Sequence, residues 1–483
     1  MIRAQLPVLP LVLTLAGALL VSMLGIVRPR VAWPLAVTAV GAAALAAVAG
    51  VVDVVAHGTR RYAVGGWPPP WGIEVVLDPL SSFMAAVVAC VATATLIAAR
   101  RPAAQLYGHT VAAFYALALV AVTGFLGIIA SGDMFNVFVF LEIAAIASYA
   151  LVASAGGAAL AAAFRYLVLG TVGASFYLLG VGLLYALTGT LNMADLAARV
   201  PAVSGSPLFV GGVGFVLVGL AIKMGLFPLH GWLPDAYTHA PTPVTALLAG
   251  VATKAAAYAL ARMVWYVLRP MELPVPLVLT WAGMAAIVIG GVLALRQRDA
   301  RRMLAYSSVS QLGYIALGFG LATPVALAGA YLHVLNHAVM KASLFLVVGA
   351  AVAAGGRPLV GALGLGRHMP VTAACALVAA ISMIGLPPAG GFFSKWYLLQ
   401  AAVDTSRPLA VAAILVGSLL AAAYMYRFTE AIWAAPAGHA GPSDPPASMQ
   451  VGLLTLAAAT LAIGLASAAL MDAVLLPAAA GAF

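Results

Sequence analysis

Residues 224–232 read MGLFPLHGW and residues 384–392 read IGLPPAGGF. The two stretches share Gly-Leu-x-Pro-x-x-Gly-aromatic at an offset of 160 residues, and each lies inside an apolar segment long enough to span a bilayer. Proline lacks an amide hydrogen, and its ring clashes with the carbonyl one turn back. Pro228 is therefore expected to free the carbonyl of Met224, and Pro388 that of Ile384, interrupting both helices. Paired broken helices at corresponding positions point to an inverted-repeat transporter with its site at the breaks. The breaks fall in the seventh and twelfth apolar segments, an odd separation, which a five-helix repeat that turns over in the membrane produces. Gly and Pro are common in membrane helices, so a chance echo is the competing reading.

Working outward, fourteen apolar stretches of about 20 residues or more can be placed: 5–26, 32–55, 77–99, 110–131, 133–153, 163–187, 208–233, 240–267, 275–295, 303–321, 325–353, 371–400, 408–432 and 449–477. The expected fold is an all-α polytopic membrane protein: an N-terminal three-helix segment (1–108), a first repeat (109–268), a second repeat (269–433) and a C-terminal span (434–483). The connections are short. The longest, 56–76 with its GGWPPPWG and the Pro/Gly/Ser-rich 434–448, read as irregular. The apolar stretch 5–26 is too long for a signal h-region and reads as a retained span.

Composition agrees. Of 483 residues 64% are hydrophobic and 7% charged, against about a quarter charged in soluble domains. A water-soluble enzyme, a nucleic-acid binder and a disordered chain are excluded. The net charge of +10 comes from basic residues scattered in loops, as topology signals are. Alternate connections carry six arginines on one side (Arg3, Arg60, Arg61, Arg199, Arg269, Arg407) and twelve on the other, among them Arg28, Arg100, Arg165, Arg301, Arg357, Arg367 and Arg427. The richer side should be cytoplasmic and both termini outside, in a cell membrane. Cys90 and Cys375 lie in separate segments without a C-x-x-C, so iron–sulfur or zinc ligation has no support. There is no Walker loop and no Rossmann fingerprint. The driving force must be an ion gradient or a partner subunit, and no cofactor is expected.

The lysines carry the functional signal. The chain has nineteen arginines and four lysines. The arginines sit almost wholly at loops and span ends, whereas Lys223, Lys254, Lys341 and Lys395 all lie inside apolar segments, at a cost of about 3 kcal/mol each on insertion scales. Arginine stays charged at any working pH; lysine is the cation that gives up its proton when taken out of water. Codon bias explains the scarcity of lysine but not its placement. Of thirteen acidic residues, Glu142 alone lies near a span centre. An isolated buried carboxylate is costly, and Lys223, just before the break, is its natural partner. A static structural ion pair is the alternative.

His333, His337 and Lys341 follow i, i+4, i+8 spacing, which sets them on one stripe rising about 12 Å. Imidazoles and desolvated amines exchange protons near neutral pH, so the stripe reads as part of a proton wire. Zinc on the His pair lacks an evident third ligand, and either His can instead be a hydrogen-bonded core residue. His230, at the first break, and His239 can pass protons at a channel mouth or cap freed backbone. Lys395 follows Pro388 by two turns, about 10 Å; it reads as a last proton site before one face, or as a lysine snorkelling to the interface. Ser307, Ser310 and Gln311 can hold ordered water between the titratable sites, though helix packing is the favoured reading.

The segments GDMFNVFVFLEIAAIASY, IKMGLFPLHGWLPDAYTHAPTPVTALLAG, LAYSSVSQLGY, HVLNHAVMKASLF and IGLPPAGGFFSKW together resemble the antiporter-like subunits shared by Mrp-type sodium/proton antiporters, membrane-bound hydrogenases and respiratory complex I. The resemblance covers spans four to thirteen. GGWPPPWGI, fourteen spans without a long lateral helix, and lysine at 395 look most like the Mrp D-type chain. The resemblance implies a proton-translocating subunit of a multisubunit Na+/H+ antiporter; the alternatives are a pumping subunit of a redox complex and a scaffold with frozen ion pairs. It implies a gating pair in Glu142 and Lys223, a central lysine in Lys254, linking histidines in His333 and His337, and a terminal lysine in Lys395, with the role of Lys341 less defined; His230 stays a candidate from its place at the break alone. It also implies other membrane subunits as partners and protons, with sodium, as cargo. At the place matching Glu142 the second repeat has Ser310 or Gln311, so the halves are not equivalent.

Overall fold

The computed structural model describes residues 2–269, 273–353, 358, 368–433 and 444–482. Arg357 and Arg367, used in the charge asymmetry, lie outside the described residues. The main helices are α1 (Leu9–Val27), α2 (Ala32–His57), α3 (Pro79–Ala98), α4 (Val111–Ala130), α5 (Met134–Ala153), α6 (Ala158–Thr188), α7 (Met193–Val203), α8 (Pro207–Met224), α9 (Leu233–His239), α10 (Thr242–Ala261), α11 (Val275–Leu295), α12 (Ala300–Gly320), α13 (Pro324–Ala353), α14 (Pro370–Ile384), α15 (Gly390–Asp404), α16 (Pro408–Trp433) and α17 (Ala447–Leu465). Among the described residues, twelve helices are long and apolar enough to cross a membrane. The two remaining expected spans are present in another form. Helix α12 is 21 residues long, but its Ser307–Gln311 run makes it too polar to register by hydropathy. The stretch 371–400 is split into α14 and α15.

Both breaks form where the echo predicts, by a cause upstream of the proline. Helix α8 stops at Met224 because Gly225 takes φ 74°, and α14 stops at Ile384 because Gly385 takes φ 91°. Only glycine adopts that left-handed geometry without strain. The amides of Gly225 and Leu226 return to Ile222 and Ala221, and those of Gly385 and Leu386 to Ile381. The prolines lie in the connection and prevent the helix from resuming at once.

Helices α10 and α13 form the centre. The spanning window of α10 is buried along its whole length and that of α13 almost so, and the two pack against each other. A helix apolar on every side belongs in a core, yet these two carry Lys254, His333, His337 and Lys341. Around them, glycines let helices approach closely: a Cβ on Gly219 of α8 would stand 2.5 Å from the carbonyl oxygen of Gly173 on α6, the small-residue contact of membrane helices.

The connection 56–76 is not irregular. Strands β1 (Arg60–Ala63) and β2 (Glu74–Leu77) pair antiparallel, with Arg60 opposite Leu77 and Ala63 opposite Glu74. Arg61 donates to Glu74 at 2.9 Å, and Asn192, which caps α7, donates to the same carboxylate at 2.7 Å. The hairpin is thereby fastened to the start of α7, and just past the end of α4 the Gly132 amide donates to the Glu74 carbonyl at 2.9 Å.

Candidate functional site

Helix α5 starts at Asp133, whose carboxylate accepts from the Asn136 amide at 2.8 Å. Further along the same helix, Glu142 reaches Lys223 in the last turn of α8, where Nζ donates to Oε1 at 3.2 Å. The Lys223 side chain is 7% exposed and that of Glu142 28%. The ammonium thus lies inside and the carboxylate on the open flank of the chain. The helix C-terminus itself favours a cation there. Beside Lys223, Tyr166, Ala252 and Ala256 help to line a cavity of about 20 Å³, room for about one water.

Lys254 lies mid-way along α10, wholly buried. Its Nζ donates back to the carbonyl of Ala249 and, at 3.4 Å, to the Thr253 hydroxyl. Lys341 donates to the Leu304 carbonyl at 2.8 Å and to Ser307 Oγ at 2.5 Å, so Ser307 is a polar partner rather than packing material. Among the described residues, no direct hydrogen bond joins Lys223 to Lys254 or Lys254 to His337.

The His333 and His337 rings lie parallel, within 7°, with centroids 6.3 Å apart. His333 Nδ1 meets Ser394 Oγ at 2.9 Å. Among the described residues, His333 Nε2 and both His337 nitrogens find no hydrogen-bond partner within the protein. A buried polar nitrogen needs one, and water supplies it where the protein does not. No three His, Cys, Asp or Glu side chains among the described residues converge as a metal site would.

Lys395 differs from its sequence reading. It neither snorkels nor stands 10 Å along a continuous helix. Its helix restarts at Gly390, and its side chain, 5% exposed, folds back onto the end of α14. There Nζ donates to the carbonyls of Met383 at 2.9 Å and Ile384 at 3.0 Å. The Ile384 carbonyl, which the sequence leaves free on account of Pro388, is thus capped by the lysine. Tyr314 presents its ring 4.8 Å from Nζ, close enough for a cation–π contact, and stands 5.4 Å from the His333 ring. His333, Ser394, Tyr314 and Lys395 form one cluster where α12, α13 and α15 meet. His230 stays apart: half-buried after the first break, it stacks on Phe227 at 5.4 Å and meets Tyr306 edge-on at 6.4 Å.

Residues 131–421, more than half of the chain, match the family described as NADH:quinone oxidoreductase/Mrp antiporter, transmembrane. The chain belongs to the antiporter-like subunit family. It is 45% identical to the NADH-quinone oxidoreductase subunit N of Desulforudis audaxviator, over 96% of each chain. It is 33% identical to the D subunit of the Na(+)/H(+) antiporter of Alkalihalophilus pseudofirmus, over 86% of this chain and 85% of that one. Among solved structures, it superposes with a TM-score of 0.90 and 32% identity on a chain of the membrane-bound sulfane sulfur reductase, an archaeal respiratory membrane complex, covering 99% of this chain and 97% of that one. The family is the one the motifs suggest. The motifs that decide the family are common to both branches; in sequence this chain is more similar to the quinone-reductase subunit than to the antiporter D subunit, 45% against 33% identity.

This antiporter-like subunit holds polar residues that the sequence does not single out. Ser394 and Tyr314 are unremarkable as types; only the fold brings them to His333 and Lys395. Arg262 reads from sequence as a stray charge within a span. It follows Lys254 by two turns, opening the helical extension Arg262–Leu268 that continues α10, and its Nη2 donates to Asp78 Oδ2 at 2.5 Å. Asp78 stands just ahead of α3, and its other oxygen accepts from the Ser81 amide at 2.7 Å. Burial opposes its charge, but the Arg262 guanidinium and the Ser81 amide outweigh that and hold the carboxyl below the usual carboxylate range.

Proposed function

We propose that the chain is the proton-translocating subunit of a redox-driven membrane complex of the respiratory complex I type, seated with other membrane subunits in a bacterial cell membrane. The observation that carries this reading is the end-to-end 45% identity to a quinone-reductase subunit N, from a chain with no cofactor motif of its own to drive transport. The Mrp-type antiporter is the second reading, favoured by the 33% identity to an antiporter chain of the D type; in that case sodium is the counter-ion.

The chemistry is electrostatic. Glu142 beside Lys223 stabilises the ammonium. A move of the partly exposed carboxylate away leaves a cation in low dielectric without its counter-charge, a costly species. Releasing the proton relieves that cost. About 1.4 kcal/mol shifts the proton equilibrium tenfold, well within what opening one ion pair provides. The proton goes on by way of water beside Lys223 to Lys254, through His337 and His333, to Lys395. The titrations are coupled, so the line behaves as a unit. Lys341, held by Ser307, sets the charge next to His337. In this reading the two five-helix repeats, 109–268 and 269–433, are the two half-paths.

Purification of the tagged chain with its native complex tests the assignment. Co-purifying redox subunits with electron-transfer activity are expected. Small antiporter subunits and no redox protein would establish the Mrp reading instead.

A further inference from the structure

Beneath the hairpin lies a cavity of about 200 Å³, lined by polar groups from Arg61, Glu74, Asp78, Ser131, Tyr258 and Arg262. It is large and polar enough to hold several waters. Arg61, at its rim, is 55% exposed, whereas Asp78 and Arg262 at its floor are 18% and 14% exposed. The cavity therefore leads from the hairpin-side surface down to a buried ion pair.

The floor continues toward the proton line. Lys254, Tyr258 and Arg262 follow i, i+4, i+8 spacing on one stripe of α10 and its extension, one turn or about 5–6 Å per step. The Tyr258 hydroxyl donates to the Ile129 carbonyl at 2.9 Å and accepts from Arg262 Nε at 3.0 Å and Nη2 at 2.8 Å. The guanidinium is also placed against the rings of Tyr258 and Tyr266, at 5.3 and 5.0 Å. From Arg262 to Leu268 the helix runs with π geometry, a wider turn often found at functional sites. Tyr331 on α13, two residues before His333, is fully buried, and its hydroxyl finds no hydrogen-bond partner among the described residues.

We infer that this cavity is an aqueous mouth through which Lys254 exchanges protons with the hairpin side of the membrane, and that the Asp78–Arg262 pair is its gate. The inference rests on the proton-translocating reading above and adds to it a second gate with an arginine in place of the lysine. With Asp78 bound, Arg262 engages the lone pairs of Tyr258, and the Lys254 amine is turned the other way along the helix, toward Ala249. The mouth is shut in this arrangement. When the pair opens, Tyr258 is freed to accept. The Lys254 N–H bond breaks and its proton joins the Tyr258 oxygen, while the Tyr258 O–H, turned from the Ile129 carbonyl, gives its proton to water in the cavity; Tyr258 stays a neutral phenol and Lys254 is left as the neutral amine. The arm of Lys254 thus serves the inner line in one position and the mouth in the other.

The test uses the intact complex in proteoliposomes, with two readouts: protons moved per electron pair, and the passive decay of an imposed pH gradient. Asp78→Asn keeps the Ser81 cap, since asparagine caps as well as aspartate, and removes the gate's charge; the passive leak should rise at least fivefold. Tyr258→Phe removes the relay and should cut protons per electron pair at least fivefold without raising the leak. Glu142→Gln is run alongside. Should it stop pumping while Asp78→Asn and Tyr258→Phe both behave as wild type, the mouth is refuted and the translocating reading stands. Should all three pump normally, the reading itself falls. If Asp78→Asn fails to assemble, Tyr258→Phe decides alone, and a loss of thermal stability with unchanged proton yield would show a merely structural cluster.

Discussion

The two broken helices begin alike and end differently. At the first, the last turn of α8 carries Lys223, whose partner is a carboxylate from another helix, and the helix end is closed separately by the Gly225 amide and the Trp232 indole, which both donate to the Ile222 carbonyl, at 3.0 and 2.8 Å. At the second, one residue does both jobs: Lys395 returns from α15 to bind the Met383 and Ile384 carbonyls, and among the described residues no carboxylate answers it. The same Gly-Leu-x-Pro break can therefore carry either a charge-gated cation or a backbone-anchored one. The first can be released by moving one side chain. The second can be released only by uncapping a helix end or by losing its proton.

That contrast predicts unequal damage. Lys395→Met should cost the most stability, because a buried carbonyl (Met383) and a part-buried one (Ile384) lose their donor, the first at about 1–3 kcal/mol. Lys223→Met strands no backbone acceptor, and Glu142 at 28% exposure can turn to polar surroundings. Thermal unfolding of the purified complex should show the Lys395 variant several degrees below the Lys223 variant, while both lose proton translocation at least tenfold. Equal melting temperatures would remove the distinction between the breaks.

The glycines give a finer test. Alanine at either position meets a positive φ, a strain of about 1 kcal/mol or more. A Cβ on Gly385 would also stand 2.9 Å from Lys395 Cδ, whereas on Gly225 it would stand 2.7 Å from Leu233 Cδ1. Gly385→Ala should therefore slow proton translocation as well as lower stability, and Gly225→Ala should lower stability alone. Trp232→Phe removes the indole donor and part of a fully buried ring stacked on Tyr166 at 4.1 Å; the lost hydrogen bond and the small cavity should together cost about 1–3 kcal/mol, read as a fall in melting temperature with translocation retained.

Much of this is legible in the chain itself. Span length and the depth of one acid and four lysines are one-dimensional facts, so the all-α fold, the two breaks and the Glu142–Lys223 pairing can be read directly. The stripe of His333 and His337 follows from helical spacing. What stays hidden depends on which atom meets which. Residue order credits the prolines with breaks that Gly225 and Gly385 make, because φ is not written in a residue's hydropathy. Helical spacing measures Lys395 along a helix, when the chain bends at the break and sends it back. Ser394, Tyr314 and Asp78 are ordinary residue types that gain meaning only from neighbours distant in sequence, and Arg262, visible in sequence as a charge inside a span, lacks a role until Asp78 is placed against it. The hairpin over 60–77 escapes notice because its strands are four residues each, too short for alternation to show.

The central claim is that one carboxylate governs proton movement along a buried line of amines and imidazoles. Proton uptake driven by electron transfer in proteoliposomes holding the Glu142→Gln complex tests it most directly, since glutamine keeps the shape of the pair and removes only its charge. Translocation should fall at least tenfold while the complex assembles and turns over electrons. Proton yield equal to wild type, at equal electron flux, would contradict it.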